Sequence, residues 1–312
     1  MDACITAVEE AFRAAATGAT LPSGVLGSPV PGGGFHVKVA GLTRERRYYV
    51  AKVNANFPDN PVSRRLPTIQ GVICLFDAVD GRLLALLDSM EITSMRTAAA
   101  TAVAAKYLAR RTPGVVTVIG CGTQGRSQLH AFSRVRPIRK VFVHDIDSVC
   151  AERYAAEMSQ RLGCDVESVP EYLPAVRQSD VVIACTTSRQ PLLAWRDLTA
   201  GAFVAAVGAD SESKQELDVS VLVNATVVAD DLEQCARIGD LHHALDSGLM
   251  RREQVHAELA DIVSNRRPGR TSDDEVTVFD STGTALEDVA AASLVYERAI
   301  VQGRGLAIHL HE

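Results

Sequence analysis

VVTVIGCGTQGRSQLHAFSRVRPIRKVFVHD, residues 115–145, is the stretch on which the fold turns. Val115 to Ile119 form a compact apolar run, the length of one buried strand in a parallel sheet. Gly120, Gly122 and Gly125 follow in the order G-x-G-x-x-G and open a helical stretch through Phe132. A second strand, Val141 to His144, ends on Asp145, 20 residues past Gly125. This is the dinucleotide-binding fingerprint with its context intact. Gly120 allows the tight turn, Gly122 lets backbone approach a pyrophosphate, and Gly125 lets the helix sit close to its strand, its dipole facing the phosphates. The carboxylate of Asp145 can accept both hydroxyls of an adenosine ribose. It also repels a ribose 2′-phosphate, and Asp145-Ile146-Asp147-Ser148 offers no arginine in exchange, so NAD is favoured over NADP. The competing reading, a glycine-rich turn in an ordinary α/β domain, accounts for the glycines but not for strand, helix, strand and acid at the right offsets.

The chain has 312 residues, room for two domains each with its own core. Hydrophobic residues make up 47% and charged residues 22%, as in a soluble globular protein. A net charge of −6 without a basic block argues against nucleic acid as a partner. The densest basic cluster, Arg44 to Arg47, contains Glu45 and reads as a solvated hairpin loop. Seven scattered cysteines, never spaced C-x-x-C, imply neither a disulfide framework nor a zinc site. The start, MDACITAVEEAF, is amphipathic and unlike a signal peptide, and the Ala-rich run Thr97 to Ala105 is too short to span a bilayer. A cytoplasmic protein without membrane partners is expected.

Taken in order, residues 4–16 read as a helix, followed by Gly- and Pro-rich sequence from Gly18 to Gly34. The period then changes to two over Phe35–Ala40 and Tyr49–Asn54, with further strands at Ile69–Phe76 and Leu83–Leu87 flanking an Asp80-Gly81 turn. This is an antiparallel meander. Thr93 is the expected N-cap of a helix over about 94–110, and Thr112-Pro113-Gly114 breaks the chain. Candidate strands of the parallel sheet continue at 165–169, 181–185, 203–207, 226–229 and 276–279, with helix over 239–263 inserted before the last. The predicted organisation is a first domain over 1–113, a Rossmann-type NAD-binding domain over 114–284, and a final helix, within 285–312, packing back on the first. His309-Leu310-His311 reads as a frayed tail.

Three side chains stand out for chemistry. Lys52 shares a strand face with Val50 and Asn54, so its ammonium is partly desolvated, which lowers its pKa towards acid–base use; a strand-edge lysine that discourages aggregation is the alternative. Arg96 falls in the first turn of the expected helix, the wrong end of the dipole for a cation. That calls for a compensating anion, either a substrate carboxylate gripped by the guanidinium fork or Glu91. Asp210 follows the apolar strand Phe203–Val207, at the carboxyl end of a parallel strand where α/β sheets bind ligands; otherwise it is a turn aspartate. His242-His243 has no matching ligand set, and neither H-E-x-x-H nor G-x-S-x-G occurs.

The residues together resemble the ornithine cyclodeaminase/mu-crystallin family, with its alanine dehydrogenase branch and cyclic-imine reductases. The likeness covers nearly the whole chain. It is carried by Lys52 with Phe57-Pro58-x-Asn60, Leu66-Pro67-Thr68, Glu91-Ile92-Thr93-x-x-Arg96-Thr97-Ala98-Ala99, Gly208-Ala209-Asp210-x-x-x-Lys214-Gln215-Glu216-Leu217-Asp218 and Phe279-Asp280-Ser281-Thr282-Gly283. The resemblance implies that Lys52 and Arg96 bind a substrate carboxylate and that Asp210 is the catalytic acid/base. It implies that Thr68, Thr123, Gln124, Asp145, Thr186, Lys214 and Ser281 contact NAD, that Val204 to Val207 lie beneath it, and that Thr282 lines the substrate pocket. It further implies an α+β dimerisation domain built from both chain ends, and hence a homodimer. Two departures stand out. Members usually have a strand before the helix that begins here near Ile5. The arginine that cyclodeaminases place upstream of the lysine has no clear counterpart, His36 or Lys38 standing in its place. The expected activity is NAD-dependent chemistry at the Cα–N bond of a small L-amino acid. Cyclodeamination is put first, dehydrogenation or imine reduction next, and a non-catalytic nucleotide-bound binder is the rival of another class.

Overall fold

The computed structural model describes residues 1–308 except Arg44 and Pro113. Arg44 of the expected hairpin loop, Pro113 of the expected chain break and the His309–His311 tail therefore lie outside the described residues. Two compact units result, one made of Thr6–Arg96 with the segment from Ala285 onward, the other of Met1–Ile5 with Thr97–Thr284. The helices are α1 (Asp2–Ala16), α2 (Asn60–Ser63), α3 (Ser89–Leu108), α4 (Thr123–Ser133), α5 (Ser148–Leu162) and α6 (Leu173–Val176). They continue as α7 (Val219–Asn224), α8 (Leu232–Ile238), α9 (Asp240–Asp246), α10 (Leu259–Val263) and α11 (Ala285–Val301). The division falls inside α3, between Arg96 and Thr97, rather than near residue 113. Ala98 to Ala105 are all fully buried, and this run of mostly small side chains belongs to the unit of the parallel sheet.

In the first unit, β1 (Thr20–Val30), β2 (Gly33–Thr43), β3 (Arg47–Asn56), β4 (Ile69–Asp77) and β5 (Leu83–Asp88) form an antiparallel sheet in chain order. Alternation selects one face for burial: Ala40, Leu42, Tyr48, Val50, Ile73 and Leu75 are in the core. Helix α11 lies across β1 to β4. β1 occupies most of the Gly- and Pro-rich stretch for which the sequence predicts no strand. Pro22, Gly24, Gly27 and Pro29 hide its strand character, and the edge position tolerates them because one row of N–H groups needs no ladder partner. On the other side of the sheet Leu26, Phe35, Val72 and Leu86 remain exposed.

The second unit holds β6 (Val115–Ile119), β7 (Lys140–His144), β8 (Asp165–Ser168), β9 (Val181–Ala184), β10 (Arg189–Leu193) and β11 (Phe203–Ala206). After them come β12 (Gln215–Leu217), β13 (Thr226–Ala229), β14 (Ala257–Glu258) and β15 (Thr277–Asp280). Eight of these make a sheet in the order β14-β13-β15-β11-β9-β6-β7-β8, parallel throughout. Its middle strands β9, β11 and β15 are buried on both faces, which is why they read as continuous apolar runs. Chain order reverses between β6 and β9, and ligands bind at such a switch point. Two features escaped the sequence. β10 and β12 pair as a separate two-stranded sheet. The helix expected over 239–263 is broken into α9, a 3₁₀ turn at Arg252–Gln254, the edge strand β14 and α10, the break beginning at Gly248 with φ of +71°.

Candidate active site

At the carboxyl end of β6, Gly120 adopts φ of +101°, and a Cβ there would lie 2.7 Å from the carbonyl oxygen of Cys185 after β9. A Cβ on Gly125 would run into the Gly120 carbonyl oxygen. A Cβ on Gly122 would meet nothing within 4 Å. Gly122 is also the N-cap of α4, without a side-chain cap, so the first amides of α4 and the space before them suit a pyrophosphate. Thr123 and Gln124 are the first residues of that helix. Asp145 accepts from the backbone N–H of Cys121 (2.8 Å) and of Asp147 (3.0 Å), which fixes its carboxylate beside the turn. Arg126, unforeseen from the sequence, donates to the carbonyls of Cys121 and Gly122 and pairs with Glu157 at 2.7 Å, holding a positive charge on the loop. The turn thus has the clearances and donors a dinucleotide needs.

The ends of β9, β11 and β15 carry the other expected residues of this unit. Val204 is buried within β11 and Val207 follows it. Asp210 stands exposed two residues beyond Gly208, its carboxylate 2.6 Å from the Lys214 ammonium. Two residues expected in the site therefore pair with each other across one turn of chain. Thr186 donates its backbone N–H (2.5 Å) and its hydroxyl (2.7 Å) to Glu216. Ser281 and Thr282 donate their hydroxyls to Asp230 at 3.1 and 3.2 Å. Burial and the neighbouring Asp240 push the Glu216 carboxyl up to about 7.

In the unit of the antiparallel sheet, Lys52 lies on the inner strand β3 and is 3% exposed. That removes the edge-lysine reading. Its ammonium sits 2.5 Å from Asp288, and Arg96 touches the same carboxylate through Nε at 2.9 Å and Glu287 through an NH at 2.8 Å. α3 begins at Ser89 and not at Thr93, which places Arg96 two turns inside the helix. The end-dipole argument for it therefore fails, and its counter-ions are Glu287 and Asp288 rather than Glu91. Burial pushes Lys52 down to about 8, with Asp288 opposing and Arg96 and Lys38 adding to the fall. Burial would raise the Asp288 carboxyl, but Arg96 and Lys52 beside it hold it below the usual range. Lys38 is paired with Lys52 across β2 and β3, and His36, two residues earlier, is exposed opposite Asn54. Thr68 is half-buried just before β4, its carbonyl accepting from the Phe57 N–H at 2.8 Å.

The arrangement can be set beside known proteins. A family model described as ornithine cyclodeaminase/mu-crystallin matches residues 1–303. The chain belongs to this family. It is 37% identical to an alanine dehydrogenase of Archaeoglobus fulgidus over 310 residues, 99% of this chain and 94% of that protein. Among solved structures, an archaeal alanine dehydrogenase dimer with bound NAD superposes with a TM-score of 0.94 at 37% identity, covering 100% of this chain and 95% of that one. A Δ1-pyrroline-2-carboxylate reductase from Thermococcus litoralis, in complex with NADH and L-proline, gives 0.93 at 33% identity, with coverage of 98% and 95%. The α/β architecture, a parallel Rossmann-like sheet with an antiparallel-sheet unit, is that of this family. No helix among the described residues is long and apolar enough to cross a membrane.

The acids that organise both constellations were quoted among the family's motifs or passed over, without a role. Glu287-Asp288 in the first turn of an Ala-rich helix reads as ordinary dipole chemistry. Only the fact that the residues around it are apolar, so that the pair must be buried with cations, could have exposed it.

Proposed function

We propose that this protein is an NAD-dependent enzyme acting at the Cα–N bond of a small L-amino acid, interconverting the amino acid and its imine. The observation that carries the reading is the convergence of Lys52 and Arg96, both buried, on one carboxylate. Two cations with their heads on one carboxylate oxygen pair are arranged to hold a second, from substrate, at modest reorganisation. NAD, when bound at the glycine turn and Asp145, supplies the acceptor or donor of the Cα hydride. Arg96 and Lys52 grip the substrate carboxylate and fix Cα. Asp210 takes the proton that the substrate nitrogen loses as the imine forms, and returns one in the opposite direction. Lys214, 2.6 Å from Asp210, holds that carboxylate in place. Thr68, Thr123, Gln124, Thr186, Val204, Val207, Lys214 and Ser281 are assigned to the cofactor, and Thr282, Lys38 and His36 to the substrate side.

Water attack on the imine gives a 2-oxo acid and ammonium, with one NADH formed for each. The 37% identity to a protein named alanine dehydrogenase favours dehydrogenation or imine reduction over cyclodeamination. The exposed apolar face of Leu26, Phe35, Val72 and Leu86 supports a homodimer through the antiparallel sheet.

The test is to follow ammonia and reduced nicotinamide together with L-alanine and with L-ornithine, and NADH consumption with a cyclic imine. NADH appearing in step with ammonia is the expected result. Ammonia from ornithine at constant NADH would replace it with cyclodeamination. Turnover of no amino acid or imine would leave a nucleotide-bound binding protein.

A further inference from the structure

We infer that Glu216 is a positioning residue that latches the carboxyl ends of β9 and β11 together and so sets the backbone carrying Asp210. The inference rests on the proposed roles of Thr186, Val207 and Asp210. One oxygen of Glu216 accepts from the Thr186 N–H (2.5 Å) and hydroxyl (2.7 Å), the other from the Gly208 N–H (2.8 Å). Thr186 follows β9, and Gly208 lies between Val207 and Asp210. Gly208 has to be glycine here, since a Cβ would sit 2.5 Å from the Glu216 carboxylate. A carboxylate alone among side chains of this size accepts on both oxygens, so glutamine must turn its NH₂ towards one of these donors.

Glu216 is in turn held by two further acids. Asp240 accepts from the backbone N–H of Glu216 and of Leu217, each at 2.8 Å. Asp280, at the end of β15, accepts from the N–H of Asp240 (3.3 Å) and Leu241 (2.9 Å). All three side chains are completely buried, and among the described residues none has an ion-pair partner. Each carboxylate fixes the backbone that presents the next, from β15 through the start of α9 and β12 to β9 and β11. The ionisable groups facing Glu216 are Asp240 of α9 and the Cys185 thiol after β9, itself pushed up by burial and by Glu216. Behind Asp240 stand Asp280 and His242.

Burial and Asp240 raise Glu216 to about 7. The sign follows: below that pH the carboxyl takes up a proton, one oxygen becomes a donor, and the latch loosens; above it the latch is closed. The experiment measures NADH binding by fluorescence titration between acid and mildly basic pH, together with amide hydrogen exchange of the cofactor-free protein. Native protein should bind NADH more tightly as pH rises through neutrality. Glu216→Gln should bind about tenfold more weakly at the basic end, the scale of one lost charge-assisted hydrogen bond, with no such pH dependence. Asp240→Asn, which removes the repelling neighbour, should move the midpoint to lower pH. Peptides containing Thr186 and Gly208 should lose exchange protection in Glu216→Gln, and in native protein at acid pH after correction for intrinsic rates. Native-like binding, pH dependence and protection in Glu216→Gln would overturn the latch. If native protein does not bind NADH, the cofactor reading fails, and the exchange arm alone decides the latch: unchanged protection at Thr186 and Gly208 overturns it. Should Glu216→Gln not fold, the Asp240→Asn shift and the native exchange profile decide in the same way.

Discussion

Glu287 and Asp288 of the antiparallel unit lie against Lys52 and Arg96, whereas Glu216, Asp240 and Asp280 of the parallel unit have backbone N–H groups, hydroxyls and one another. Both sets are completely buried, yet the consequences run in opposite directions. The paired acid Asp288 stays ionised, held low by its cations, and it is the lysine that pays with a fall to about 8. The unpaired acids rise, Glu216 to about 7 and Asp280 well above its ordinary range, because burial penalises the charge and nothing of opposite sign offsets it. A buried ion pair is thus an electrostatic fixture that can receive another charge, and a buried lone carboxylate is a backbone clamp sensitive to protons. The first suits substrate capture and the second suits holding strand ends in place.

The largest expected effect is on chemistry. Asp210 is half exposed and, among the described residues, bonded only to Lys214, so Asp210→Asn should leave the melting temperature unchanged while lowering kcat by roughly 10²–10⁴-fold. A comparable loss of stability would mean that Asp210 belongs with the clamps. Arg96→Ala breaks the opposite kind of site. It removes the cation that lies against both Glu287 and Asp288, which costs about 3–5 kcal/mol, read from the shift in urea midpoint. An unshifted midpoint would show that the pair contributes nothing to the fold.

Asp288→Asn sharpens the same point without deleting a cation. Asp288 holds the Lys52 pKa up, so its removal should lower that pKa below about 8 and move the Lys52-dependent limb of kcat/KM against pH towards acid. A limb that stays in place would separate Lys52 from substrate capture. The smallest effect is expected at the cofactor turn. NAD should be used better than NADP, and Asp145→Ser should narrow the preference by about tenfold, partly by dropping the Cys121 bond. Preference for NADP in the native protein would contradict the assignment of Asp145.

The two halves of this comparison were not equally legible. Period-two alternation put Lys52 on the face of Val50, and the structure buries that face. The glycine turn is local chemistry, and its strand, helix and acid fall where the spacing placed them. The partner of Arg96 was not legible, because Glu287 is 191 residues away and sequence order offers no register between α3 and α11. Misplacing the start of α3 at Thr93 compounded this by giving Arg96 a helix-end role it does not have. β1 was hidden by residues that ordinarily stop a strand, tolerated here at an edge. Glu216, Asp240 and Asp280 each sit beside a turn or strand end, where an acid reads as a cap. Only the assembled fold shows that their acceptors serve backbone from other elements.

In the proposed reaction, hydride leaves Cα of an amino acid gripped by Lys52 and Arg96. Its most direct test is a single-turnover reaction with L-alanine and L-ornithine deuterated at Cα, followed by mass spectrometry of cofactor and product. Deuterium is expected in the reduced nicotinamide, with release of the 2-oxo acid, and a primary isotope effect on that step. Deuterium lost to water would contradict hydride transfer from Cα; deuterium retained at Cα while ammonia is released from ornithine would contradict dehydrogenation and leave cyclodeamination.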